Sequence, residues 1–198
     1  MNARVLSLLI GYIFGNFLTA YFVVGKITGR SPFEYGSGNP GMANVMANEG
    51  KGLGLMVLAG DILKTVLACI LSAIFFLNAV GRICILYAGL GVTLGHNFPI
   101  WHSLKGGKGV ATTCSAIVLF SPNFGMLANI IGGLVVLFTG WLPLAGVVIP
   151  LVYVFPAFYF YGTEAGILSL ILLGLMIWAH HHGLLRIIHG QEKKIKLF

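Results

Sequence analysis

Charge is what this chain has least of. Only 9% of its 198 residues are charged, 58% are hydrophobic, and the mean hydropathy is +0.94. No soluble domain of this size normally carries that balance, which leaves a polytopic membrane protein. Acidic residues are scarcest, five in all, so the chain of intramembrane carboxylates that a proton pump needs is missing. Cysteine is nearly absent: Cys69, Cys84 and Cys114 lie in apolar segments without paired or CxxC spacing and read as small buried residues, not as disulfides or metal ligands. Net charge is +7, yet no aromatic-basic surface for nucleic acid accompanies it. The lysines and arginines fall in short loops between apolar runs, where they set orientation and meet anionic lipid heads or phosphates. Residues 1–25 lack a small-residue cleavage pattern and are too long for a removed leader, so they read as a first span.

What is present is apolar length. Seven segments follow one another: residues 5–24, 52–77, 82–100, 110–120, 125–139, 142–161 and 166–185. About 20 apolar residues cross the hydrocarbon core, so the fourth is short. The expected fold is all-α, one seven-helix membrane domain over residues 1–198. Lys26, Arg30 and Lys51 mark the first loop as cytoplasmic, Lys105 and Lys108 the second long one, and Arg186, Lys193, Lys194 and Lys196 the C-terminus. That places the N-terminus outside. Arg82 dissents in a short outer turn. Gly15 and Asn16 in the first span favour close helix packing or an interhelical hydrogen bond. Pro143, Pro150 and Pro156 predict kinks in the sixth. Asp61 and Lys64 stand three residues apart inside the second, where each charge costs at least ~2.5 kcal/mol at mid-membrane; they form a structural pair or take part in a site.

The polar residues gather in residues 95–113, GHNFPIWHSLKGGKGVATT. Gly106, Gly107 and Gly109 free the backbone so that N–H groups can converge on an anion, and Lys105 and Lys108 add charge. An apolar helix-length segment follows, so the turn would sit at a helix N-terminus, which also favours an anion. It is not a Walker A loop, because Gly109 follows Lys108 where Ser or Thr is required. A basic loop that only obeys the positive-inside rule is the alternative, against which His96, Asn97 and Trp101 crowd the same turn. The first loop, residues 26–51, holds GSGNPG: Ser37, Gly38, Asn39 and Gly41, with Asn44 and Asn48 beyond. That is more turn chemistry than a helix connection requires, and Ser37 and Asn39 could bond a phosphate or a sugar-like hydroxyl. His180, His181 and His182 close the last span. Sequence neighbours do not share a helix face, so a three-histidine metal site is not expected.

GSGNPG with Asn44 and Val45, GHNFPIW with KGGKGVAT, and the tail from His180 to Glu192-Lys193-Lys194-Ile195 resemble the three motifs of the bacterial acyl phosphate-dependent glycerol-3-phosphate acyltransferases, the PlsY family. The likeness covers nearly the whole chain. It implies a seven-helix enzyme whose cytoplasm-facing loops, 26–51, 95–109 and 180–198, move a fatty acyl group from acyl phosphate to the 1-hydroxyl of glycerol 3-phosphate, giving lysophosphatidic acid and phosphate. It implies no metal or other cofactor. His96, Asn97 and Lys105 would be catalytic; Ser37, Gly38, Asn39, Gly41, Asn44, Gly106, Gly107, Lys108, Gly109 and His180 would bind substrate. Membrane lipids are the surroundings, nucleic acid is no partner, and a monomer is compatible with the residues.

The chain departs from the family pattern where Ala43 and Ala47 replace the usual Thr and Arg, Ala179 and Gly183 the usual Arg and Asn, and Leu142-Pro143 a serine-bearing turn. Each charge-assisted contact so lost is worth roughly 1.5–3 kcal/mol. Acceptor binding would fall to Lys51, Asn48 and the histidine run. A paralogue with another acceptor, or water, and a non-catalytic lipid-binding protein are the alternatives.

Overall fold

The computed structural model describes residues 2–195; Met1 and the last three residues, including the Lys196 of the expected basic tail, lie outside them. Every regular element described is helical. The chain forms two compact units, residues 1–116 and 117–198, each described by itself below.

Unit 1 begins with α1, Ala3–Gly15, capped by the Asn2 side chain. The first span is interrupted where an unbroken helix was expected: residues 16–18 leave helical bonding, a wide turn over Ala20–Val24 follows, and α2, Gly25–Thr28, completes it. Asn16 stands at the break: its Nδ2 donates to the Tyr12 carbonyl at 2.7 Å beside its own N–H at 3.0 Å, and the Phe17 N–H turns to the Phe14 carbonyl at 3.2 Å. Helix α3, Met42–Glu49, stands inside the first loop, which was read as a polar loop without a helix. Its Val45 packs with Ala20, Val24, Val57 and Leu53 and ties the loop to the membrane helices. Then come α4, Lys51–Val80, and α5, Ile83–Asn97, which ends at the predicted turn; α6, Val110–Phe120, begins immediately after Gly109 as expected.

Helices α1 and α5 meet backbone to backbone. Gly11 and Gly15 on one, Gly91 and Gly95 on the other, are both spaced by four. A Cβ on Gly11 would strike the Ala88 carbonyl, and one on Gly95 the carbonyl of Tyr12. Small residues at four-residue spacing let helices approach closely where lipid supplies no hydrophobic drive. That contact fixes the end of α5, and with it His96, against the break in the first span.

Unit 2 holds α7, Pro122–Thr139, and α8, Leu142–Ile188. At 1.5 Å per residue α8 would be about 70 Å long, more than twice the hydrocarbon thickness. It is divided at Gly162, whose φ of 87° and ψ of 177° are non-helical. Kinks were expected at the prolines, yet the reported break is at the glycine, because Pro150 and Pro156 each remove one N–H while Gly162 alone adopts a conformation closed to side chains. The tail returns to the α7–α8 turn, where the Ile195 N–H donates to the Gly140 carbonyl at 2.9 Å and Lys194 lies over the Trp141 ring. Five helices among the described residues are long and apolar enough to cross a membrane, with the two arms of α8 counted as one and α6 too short.

Candidate functional site

The second motif folds around His96. Its ring is 4% exposed at the end of α5. Lys64, reaching from α4, has its Nζ 2.9 Å from His96 Nδ1, 2.8 Å from Asp61 Oδ1 and 2.8 Å from the Phe17 carbonyl. The Phe17 carbonyl is open because the first span is interrupted there. Thr19 Oγ1 donates to the same Asp61 oxygen at 3.0 Å. The expected Asp61–Lys64 pair is therefore present, buried, and joined to the motif histidine.

On the other side of the ring lies the glycine turn. The Gly107 N–H donates to the His96 carbonyl at 2.9 Å and the Gly106 N–H to the Asn97 carbonyl at 3.0 Å. These two amides face the chain's own backbone, so the convergence of successive glycine N–H groups on an anion, expected from the sequence, is not what they do. The groups placed to serve an anion there are the amides in the first turn of α6, which have no intrahelical partners, and the side chains of Lys105 and Lys108. Gly107 is required sterically, because a Cβ would overlap His96 Nε2. Gly109 is required by its φ of 75°. Asn97 is 2% exposed, and neither Oδ1 nor Nδ2 has a hydrogen-bond partner among the described residues. A buried amide without partners is costly in a folded chain and marks a place for a polar ligand or water.

The intervening residues dock onto the interrupted span. The Ile100 N–H donates to Asn16 Oδ1 and Trp101 Nε1 to the Asn16 carbonyl, both at 2.8 Å, while the Tyr12 hydroxyl donates to the Phe98 carbonyl at 2.7 Å. His102 stacks on Phe33 of the first loop, ring centroids 3.8 Å apart. The two motif loops are thus brought together within unit 1.

In the first loop, Asn44 is the organiser. Its Nδ2 donates to the carbonyls of Pro32 and Tyr35, and its Oδ1 accepts from the Ser37 N–H and Asn48 Nδ2. All four hydrogen-bonding positions are occupied inside the loop, so the residue expected as a substrate contact holds the turn instead. Gly36 and Gly38, with φ of 58° and 66°, make the turn, and Ser37 is exposed at its tip. Asn39 and Gly41 are half-buried beside it. Burial first, then the Glu49 carboxylate, pushes the Tyr35 phenol above its ordinary pKa, against the lowering by Arg30. Ala43 and Ala47 occupy exposed positions on α3.

His180 belongs to unit 2. A carbonyl can only accept, so His180 Nδ1–H donates to the Met176 carbonyl at 2.9 Å, which leaves Nε2 as the acceptor nitrogen of the neutral ring. The ring rests on Gly146. Two departures from the family pattern touch: a Cβ on Gly183 would stand 2.6 Å from the Pro143 side chain.

Sequence reasoning gave Gly15 and Asn16 close packing or an interhelical hydrogen bond, and both are found; it missed the break at Asn16, the partner glycines Gly11, Gly91 and Gly95, and the link from Lys64 to His96. The spacing of the glycines and the rarity of charge in the spans were the available signals.

Buried ionisable groups on apolar helices of spanning length, gathered beneath a basic glycine turn, define a helical membrane protein with its polar groups concentrated in its first unit. The sequence profile of the glycerol-3-phosphate acyltransferase family matches residues 5–190. Glycerol-3-phosphate acyltransferase 1 of Lactobacillus johnsonii is 38% identical over 193 residues, covering 96% of this chain and 91% of that one. The glycerol-3-phosphate acyltransferase of Alkaliphilus metalliredigens is 36% identical over 195 residues, with 97% and 96% covered. Among solved structures, PlsY (YgiH), an integral membrane glycerol 3-phosphate acyltransferase in its glycerol 3-phosphate form, superposes with a TM-score of 0.86 at 25% identity, covering 98% of this chain and 96% of that one. The chain belongs to the glycerol-3-phosphate acyltransferase family and is an integral membrane acyltransferase.

Proposed function

We propose that the chain transfers a fatty acyl group from an acyl phosphate to the 1-hydroxyl of glycerol 3-phosphate. The observation that carries this reading is the meeting, within unit 1, of a basic glycine turn at a helix N-terminus with a buried histidine and an unpartnered buried amide. An acyl phosphate is already activated, so the site has only to hold the phosphate, bring up the hydroxyl and stabilise the oxyanion. The hydroxyl oxygen attacks the acyl carbonyl carbon, the carbonyl becomes an oxyanion, and its collapse breaks the bond to the phosphate oxygen. The hydroxyl proton leaves with a phosphate oxygen, so no dedicated side-chain base is needed.

In this reading Lys105, Lys108 and the first turn of α6, beginning at Val110, hold the phosphate. His96 and Asn97 polarise the reacting oxygens, and the turn of Ser37, Gly38, Asn39 and Gly41 contributes to the acceptor. Asn44, Gly106 and Gly107 shape these surfaces. An apolar groove of about 680 Å³, lined by Ile13, Phe14, Val23, Met56 and Leu63 and reaching Lys64, offers the acyl chain a place beside the first span. His180 is a separate proposal, carried by its motif and tested by its own substitution. The charge pattern supports seven spans in a bacterial inner membrane with the N-terminus outside and the motif loops cytoplasmic.

The test is release of phosphate from palmitoyl phosphate by the purified protein in detergent, with and without glycerol 3-phosphate, followed by identification of the lipid. Release that depends on glycerol 3-phosphate and yields lysophosphatidic acid, and that is lost in His96→Gln and Lys105→Ala, is expected. Release indifferent to glycerol 3-phosphate would point to another acceptor or water, and none at all from folded protein would sink the proposal.

A further inference from the structure

With Lys64 charged, the donor arithmetic of the cluster beneath His96 closes in one way. A lysine ammonium carries three N–H donors and no acceptor. Lys64 Nζ has three acceptors within reach: the Phe17 carbonyl at 2.8 Å, Asp61 Oδ1 at 2.8 Å and His96 Nδ1 at 2.9 Å. Two of these can only accept. With the ammonium present, the third must also accept, so His96 Nδ1 is unprotonated and the ring proton sits on Nε2. Charge balances at the same time: one ammonium, one carboxylate and a neutral imidazole, all buried. The carboxylate is further satisfied by the Thr19 hydroxyl. Such a cluster within lipid-crossing helices is costly unless fully paired, and a pair without further use is often replaceable by apolar residues at no loss.

The geometry points to Lys64 as a positioning residue of the transfer: by donating to His96 Nδ1 it holds the imidazole as the Nε2–H tautomer, with that N–H edge set against the glycine turn. The placement is secured from both sides. Gly107 has no side chain where His96 Nε2 lies, and the Gly107 N–H holds the carbonyl of His96 itself. A fixed N–H donor facing an anion-handling turn stabilises phosphate oxygens or a developing oxyanion without rearranging during the reaction. Lys64 touches no substrate in this scheme. It acts through His96, and the inference rests on the turn being the place where the reacting phosphate is held.

The experiment is nitrogen-15 NMR of the full chain, labelled at histidine and held in detergent at neutral pH, with the His96 signals identified by their loss in His96→Gln. A pyridine-type Nδ1 and a pyrrole-type Nε2 are expected for His96; the opposite tautomer or an imidazolium overturns the proposal, and this reading needs no substituted Lys64. The paired substitution Asp61→Asn with Lys64→Met removes both charges and leaves no lone buried ion. In the folded double variant kcat for glycerol 3-phosphate-dependent phosphate release should fall about 100-fold, the scale for loss or misplacement of one such donor, with KM little changed. The His96 ring should become a mixture of tautomers. Wild-type kcat, or an unchanged tautomer, in that variant overturns the assignment. Full activity in His96→Gln would instead overturn the reading of the site on which it rests.

Discussion

Alanine at Gly107 puts the seat of His96 to a quantitative test. The added Cβ would overlap Nε2 and stand 2.8 Å from both Cδ2 and Cε1 of the ring. Carbon atoms settle at about 3.5–4.0 Å, so the ring and the turn must part by about 1 Å. Behind the ring there is no room, because Nδ1 is held at 2.9 Å by Lys64, Asp61 Oδ1 lies 3.8 Å away, and the residue is 4% exposed. Either the turn lifts off His96 or the ring swings away from Lys64. The second course costs a charge-assisted hydrogen bond, about 1.5–3 kcal/mol, and a displacement of about 1 Å at a reacting group costs on the order of 100-fold in rate. Gly107 has no left-handed φ, so backbone strain adds nothing. The assay is the initial rate of glycerol 3-phosphate-dependent phosphate release from palmitoyl phosphate. Gly133→Ala and Gly174→Ala serve as controls, since a Cβ at either meets nothing within 4 Å. Gly107→Ala should lose about 100-fold in kcat and unfold several degrees below the wild type, and the controls should keep full activity. Wild-type turnover in Gly107→Ala would refute the seating of His96.

Other outcomes follow from the same contacts. Gly95→Val should force α1 from α5 and destabilise by about 1–3 kcal/mol, read as a lower unfolding temperature in detergent. Asn44→Ala removes four hydrogen bonds inside the first loop; faster amide exchange over residues 32–41 is expected, and unchanged exchange would show that the loop is held by something else. Gly183→Asn should lower the unfolding temperature because its Cβ would stand 2.6 Å from Pro143 Cγ and 2.7 Å from Pro143 Cβ; an unchanged temperature would remove the steric account. Lys105→Ala alters an exposed side chain, so the unfolding temperature should hold while phosphate release falls.

The helix pattern was readable because apolar runs of lipid-crossing length admit few other solutions. The start of α6 was placed to the residue, since Gly109 with its left-handed φ cannot easily continue a helix backwards. Less was readable where one polar side chain decides the backbone. Asn16 bonds Tyr12 at the opening of the first span, and the opening is held by Lys64, Ile100 and Trp101, which lie 47, 84 and 85 residues from the groups they bond there. Helix α3 was hidden by loop-like composition, being held by a single buried face around Val45. The glycine turn was found for the right chemistry and partly the wrong geometry: its lysines and the helix start can serve an anion, but the amides of Gly106 and Gly107 hold His96 and Asn97. Sequence spacing shows which donors exist, not which acceptors the fold has already given them.

The interruption in the first span also bears on the order in which this chain can be made. When residues 3–28 first enter the bilayer, the Phe17 and Asn16 carbonyls and Asn16 Oδ1 have none of their later partners. Lys64 arrives some forty residues afterwards, and Ile100 and Trp101 some eighty. Unsatisfied carbonyls in hydrocarbon cost several kcal/mol each, so the nascent segment is better served by an unbroken helix than by its final form. The first span then enters the membrane as one conformer and is reopened by the third, a late remodelling step that makes the end of α5 a folding partner as well as a support for chemistry.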